Sequence, residues 1–112
     1  MAKLPDNIIT NILSIQRRII ECIDSTTATE FWLFNSIGET AETLPELEEL
    51  QNIKERLLSS YSRLHTLLLK VAQSQPAAAE DMLNLLYKAS ENGQATLDAS
   101  FASLQDIQHN WN

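Results

Sequence analysis

The chain has few of the residues from which reactive or ligand sites are usually built: two histidines, one cysteine and two glycines in 112 residues. Asp106-Ile107-Gln108-His109 has the i, i+3 spacing of a metal-binding pair on a helix. A carboxylate-bridged di-metal bundle, however, needs Glu-x-x-His on two helices together with further inward-facing glutamates. No Glu-x-x-His occurs, and Asp106 and His109 fall on the polar arc of their helix. The expectation is no metal site. His65 lies toward an apolar arc one turn after Tyr61, and reads as a half-buried histidine satisfied by a hydroxyl or the backbone. Lys54, near the same edge, is expected to carry its ammonium outward on its alkyl stem. Neither has a carboxylate at i±4 or a nucleophile to activate. Cys22 has no histidine at helical spacing and reads as a small packing residue. Two glycines cannot build a phosphate-cradling loop. The sequence therefore predicts a protein that is not an enzyme, with no catalytic residue, metal or other cofactor.

Charge narrows the partners. The net charge is −7, and no basic cluster exceeds Arg17-Arg18. A phosphate backbone would be repelled by most of this surface, so nucleic acid is not an expected partner. An anionic bilayer is disfavoured for the same reason. Acids gather at Glu39, Glu42, Glu46, Glu48 and Glu49, where they complement the dipole at a helix N-terminus. No stretch approaches the roughly 20 apolar residues that cross a bilayer. The N-terminal MAKLPDNIIT lacks the apolar run of a secretory signal. With a single cysteine, these features point to a cytoplasmic protein.

The elements that would position these residues are helices. Hydrophobic residues make up 44% of the chain, against two Gly and three Pro, and the β-branched residues form no alternating runs. The fold class expected is all-α: one domain over 1–112, an elongated antiparallel bundle of four helices at about 6–24, 28–38, 44–73 and 76–109. On a wheel of 100° per residue, Ile8, Ile9, Ile12, Leu13, Ile15, Ile19, Ile20, Cys22 and Ile23 fill one half of the first helix. Gln16 is the only polar residue among them. An arc that wide predicts contact with two neighbours. Asp24-Ser25-Thr26-Thr27 interrupts the pattern, and Thr27 with Glu30 has capping-box spacing. The sequence thus predicts a turn here and a short second helix that stops near Gly38.

Thr43-Leu44-Pro45-Glu46 repeats the start signal, with proline tolerated in the first turn. In the following stripe Leu50, Leu57, Leu64 and Val71 fall seven apart, the spacing of a coiled-coil seam. Ser74-Gln75-Pro76 is short enough to force an antiparallel hairpin. Asn92-Gly93 would ordinarily end a helix, but phase argues otherwise. Met82, Leu83, Leu86 and Ala89 before it share their angles with Leu97, Phe101, Leu104, Ile107 and Trp111 after it. One unbroken helix is expected through Gly93.

The apolar faces are what the sequence has to offer a partner. Within EFWLFNSIGE, residues 30–39, the wheel places Phe31, Leu33, Phe34 and Ile37 on one core arc and Trp32 opposite. A short second helix would leave the long hairpin uncovered near Leu97, Phe101, Leu104 and Trp111, or near Leu64 and Val71. Exposed stripes of that size mark interfaces, and pairing of hairpins in a homodimer is the simplest closure. The functional expectation is a protein–protein interaction module (an adaptor, regulator or small chaperone) working as a homo-oligomer. Trp32, Phe101, Leu104 and Trp111 are its candidate partner-binding residues. The alternative is a structural coat or scaffold whose amphipathic helices pack on a granule, filament or other apolar surface.

Overall fold

A seam of side chains at alternating steps of three and four runs through each helix and sets the architecture. The computed structural model describes residues 4–75 and 79–111. It forms three helices: α1 (Asp6–Ser36), α2 (Leu44–Gln73) and α3 (Glu80–Asn110). The all-α class holds; the helix count is three, not four. At 1.5 Å per residue each helix is about 46 Å long, and the three lie side by side in a body of 56 × 18 × 17 Å. Each helix packs against both of the others.

The expected break at residues 24–27 is absent because two threonines carry the seam across it. Ile8, Ile12, Ile15, Ile19, Cys22, Thr26 and Leu33 are buried along α1, and Thr29 is half-buried between the last two. The Thr26 hydroxyl donates to the Cys22 carbonyl at 2.7 Å, and the Thr29 hydroxyl donates to the Ser25 carbonyl at 2.9 Å. A polar side chain that bonds its own helix in this way can sit in a core without a stranded donor. The Thr27–Glu30 capping box therefore does not form. Glu30 instead meets Lys54 of α2 at 2.8 Å in a half-buried pair, so the Lys54 ammonium does not simply point into solvent.

Continuing α1 without a turn fixes which side of residues 31–37 faces inward. Leu33 alone is fully buried, while Phe31 is 70% exposed and Phe34 and Ile37 also face solvent. The expected aromatic core arc of Phe31, Phe34 and Ile37 is thereby overturned. Gly38 does end the helix: at φ +83° it adopts the left-handed geometry that glycine tolerates, and its N–H reaches the Leu33 carbonyl at 3.3 Å.

Thr43 marks the start of α2 but does not cap it. Fully buried, its hydroxyl accepts the Thr40 N–H at 2.8 Å and donates to the Gly38 carbonyl at 2.6 Å. It ties the α1–α2 loop shut instead of serving the helix. Beyond it Leu50, Ile53, Leu57, Leu64 and Val71 are buried, so Leu64 and Val71 have internal partners. Leu58, Leu69 and His65 lie outside that seam, while Tyr61 packs half-buried against it; the Tyr61 and His65 rings stack 6.5 Å apart, and His65 is exposed, not half-buried.

The hairpin of α2 and α3 is antiparallel, and α3 runs unbroken through Gly93. Its start differs from the expected Pro76: Ala79 is the extended residue before the first turn, and 76–78 lie outside the described residues. Gly93 is buried where all three helices meet. An added Cβ there would stand 3.0 Å from Leu64 Cδ1 and 3.6 Å from Ile15 Cγ2. The missing side chain lets α3 approach α2, which offsets the roughly 1 kcal/mol a helical glycine costs.

Two substitutions test this packing. Thr43→Val keeps the shape but leaves the Thr40 N–H without its acceptor, and should lower unfolding stability by about 1–3 kcal/mol in chemical denaturation. Gln16 is buried with a carboxamide nitrogen that has no partner among the described residues. Gln16→Met should therefore raise stability by about 1–2 kcal/mol, because an unpaired buried amide is replaced by an apolar chain of similar shape.

Candidate protein-interaction surface

α1 and α3 run parallel in constant register. Asn11 donates to the Ser90 hydroxyl at 2.9 Å and Gln108 donates to the Thr29 hydroxyl at 3.0 Å, each pair separated by 79 positions. These cross-links lie 18 residues apart along α1, so the register holds over five turns. They align Trp32, in the last turns of α1, beside Trp111 at the end of α3.

There the two helices bound a groove of about 370 Å³ lined by Ser25, Ala28, Thr29, Trp32, Leu33, Ile107, Gln108 and Trp111. Ser25, Ala28 and Trp32 follow one another at helical spacing on the side of α1 that faces α3, so two small residues leave room beside a large one. Trp32 is 45% exposed. Trp111 is half-buried, and its indole N–H donates to Glu46 at 3.1 Å. That bond joins the last turn of α3 to the first turn of α2. It also occupies the carboxylate that a local capping box would have used. A second hollow of about 350 Å³ lies further down the same face around Phe101, with Arg18, Glu21, Leu97, Asp98, Ala102 and Gln105.

Three of the four candidate residues thus share the α1·α3 face: Trp32 and Trp111 in one groove, Phe101 in the next. Leu104 is 1% exposed and belongs to the core beneath them, so it offers no surface to a partner. Ser25, Ala28 and Arg18, which the sequence reading passed over, complete the hollows. Their signal was spacing alone: each lies three, four or seven residues from an aromatic or charged neighbour on the same side of α1.

The chemistry of these hollows is apolar contact with a polar rim. Neither is lined by a histidine or cysteine, so the Ser25 and Thr29 hydroxyls of the first have no imidazole base beside them, and no group of three or more His, Cys, Asp or Glu side chains forms a metal-binding cluster among the described residues. Asp106 and His109 are both exposed. No described helix is long and apolar enough to cross a membrane. The single thiol, Cys22, is buried in the seam. Burial pushes its thiol above the ordinary value of 9.0, opposed by a hydrogen bond with Thr26.

Comparison of the chain with protein-family models, with curated proteins and with solved structures finds no match in any of the three. The fold places it among all-α proteins built as a bundle of three long helices.

The Cys22 environment makes a pH prediction. A thiol whose value is raised on folding favours the native state while it stays protonated. Its contribution is complete below the unfolded value and is lost as pH rises through the folded one. Taken from neutral pH to above 9.0, the wild type should lose more denaturant stability than Cys22→Ala. Equal losses would mean that the thiol titrates freely.

Proposed function

We propose that this protein is a non-enzymatic protein–protein interaction module, an adaptor, regulator or small chaperone, that receives an amphipathic helix of its partner along the α1·α3 face. It works in the cytoplasm as a homo-oligomer, with the dimer favoured. The observation that carries the reading is the position of Trp32: nearly half exposed beside a second tryptophan, over a groove with apolar walls and few charges. Tryptophan in such a position is the residue type that most often anchors an interface. Helix-in-groove recognition works by apolar anchors set along one stripe. The hollows at Trp111 and Phe101 are ten residues apart on α3, about 15 Å. That spacing suits a partner helix with two apolar anchors about three turns apart. A chain with its own buried seam needs no apolar surface to organise it, which favours this reading over a granule or filament coat. A heptad seam of the coiled-coil kind supplies the rigid support for the face.

The test is affinity capture from native cell extract on immobilised protein, with the wild type and Trp32→Ala compared by mass spectrometry. Trp32→Ala should lose its specific partner, a weakening of at least about 2 kcal/mol, while its melting temperature stays close to that of the wild type. Unchanged capture would remove the groove as the binding site. A large fall in melting temperature would make Trp32 a structural residue. Circular dichroism with and without an apolar surface should show unchanged helicity and a sharp melt, whereas helix gained on that surface would favour the coat alternative.

A further inference from the structure

A different face of the molecule carries more exposed apolar surface than the groove does. Leu13, Ile20, Phe31 and Phe34 on α1 and Leu58 and Leu69 on α2 are half of the twelve large apolar side chains left exposed among the described residues. The Lys54–Glu30 pair marks where α1 and α2 meet. Leu58 lies one turn beyond Lys54 and Phe34 one turn beyond Glu30, on the outer side of that junction. Leu13, Ile20 and Phe34 fall on a single seven-residue row of α1, so helical periodicity aligns them. The α2·α3 side, by contrast, presents Glu55, Arg56, Ser59, Arg63, Asn92 and Thr96.

We infer that the α1·α2 face packs against the same face of a second copy, the two chains antiparallel about a two-fold axis that crosses α1 near Glu21 and Cys22. The breadth of the face argues for a second copy. An identical two-helix face covers the exposed rows of both helices at once along the length of the face. From the level of Ile9 to that of Phe34 the face is about 38 Å long, and the body is 18 Å wide. It therefore offers roughly 700 Å² per copy, close to the ~800 Å² each partner contributes to a stable interface.

Charge sets the orientation. A chain of net charge −7 repels its own copy unless the contact excludes net charge. On this face the ions that join α1 to α2, Lys54 and Glu30, neutralise each other at 2.8 Å. The acids gather at one end of the bundle, at Glu39, Glu42, Glu46, Glu48 and Glu49. A parallel pair would stack those ends. An antiparallel pair sets them at opposite ends of a body 56 Å long, several times the ~8 Å over which salt screens charge. In that arrangement Leu13 of one protomer approaches Phe31 of the partner subunit. The α1·α3 groove stays open on both copies, so this inference does not rest on the groove's role.

Sedimentation equilibrium on the full chain tests it. The wild type should sediment at twice 12.6 kDa, and Ile20→Lys should weaken association at least about tenfold with unchanged helicity, since Ile20 is 53% exposed. In a Cys22→Ala background, Leu13→Cys chains mixed with Phe31→Cys chains should form a disulfide on mild oxidation. A wild type that stays monomeric, or an Ile20→Lys variant that dimerises as the wild type does, overturns the proposal. So does cross-linking of Leu13→Cys to Leu69→Cys in place of Phe31→Cys, the signature of a parallel pair. A monomer that binds an amphipathic helical peptide on this face also overturns it and assigns the face to a foreign helix. Capture unchanged by Trp32→Ala with dimerisation intact fails the groove alone, whereas a monomeric wild type whose capture is still lost in Trp32→Ala fails this face alone.

Discussion

The hydrogen bond from the Thr26 hydroxyl to the Cys22 carbonyl, 2.7 Å long and fully buried, is the contact on which the rest of the structure depends. It lets α1 pass through Asp24-Ser25-Thr26-Thr27 as one helix. With α1 continuous, the seam from Ile8 to Leu33 keeps a single phase. Every residue outside the seam is then assigned to one side or the other. Had the helix broken there, residues 28–37 could rotate freely, and Phe31 and Phe34 could turn into the core. Because it does not break, those two side chains stand outside and Trp32 faces α3. Both proposed surfaces follow from that one alignment.

A second constraint acts at the waist of the bundle. Gly93 lies against Leu64 and Ile15 at distances that leave little room for a side chain, so all three helices come into contact there. Polar cross-links then fix the register on either side: Asn11 with Ser90, Gln108 with Thr29, Lys54 with Glu30 and Trp111 with Glu46. Individually such contacts add little stability. Apolar packing alone tolerates sliding by a heptad, and these directional bonds select one register.

Much of this was legible in the sequence where apolar periodicity carried it. The seven-residue spacing of Leu50, Leu57, Leu64 and Val71 gave α2 its buried face, and the Thr43-Leu44-Pro45-Glu46 and Ser74-Gln75-Pro76 signals its bounds. Matching phase on either side of Gly93 showed α3 to be continuous despite an Asn-Gly pair. Gly38 was readable as a stop because its left-handed geometry is a local property. The errors share a cause. A wheel that scores threonine as polar cannot see Thr26 and Thr29 as core, so it inserted a turn and then misplaced Phe31, Phe34 and Ile37. Thr27 with Glu30 and Thr43 with Glu46 both had capping spacing. In both cases the carboxylate is taken by a residue distant in sequence, Lys54 or Trp111, and local pattern carries no information about that competition. Trp32 lies on a different side of α1 from Phe31 and Phe34, but the contrast read from the wheel is reversed, since it is less exposed than either, and Leu104 could not be told from its exposed neighbour Phe101 by periodicity alone.

Amide hydrogen exchange across residues 22–29 tests the continuity of α1 most directly. Exchange reads local opening of the backbone turn by turn. An unbroken helix tied by Thr26 and Thr29 predicts amides at Ser25 through Ala28 protected to the same degree as those of Ile19 and Ile20. Exchange there as fast as in the α1–α2 loop at Glu39 to Glu42 would contradict the account, for it would mean a turn at the position the sequence first suggested and a different inner face for everything after it.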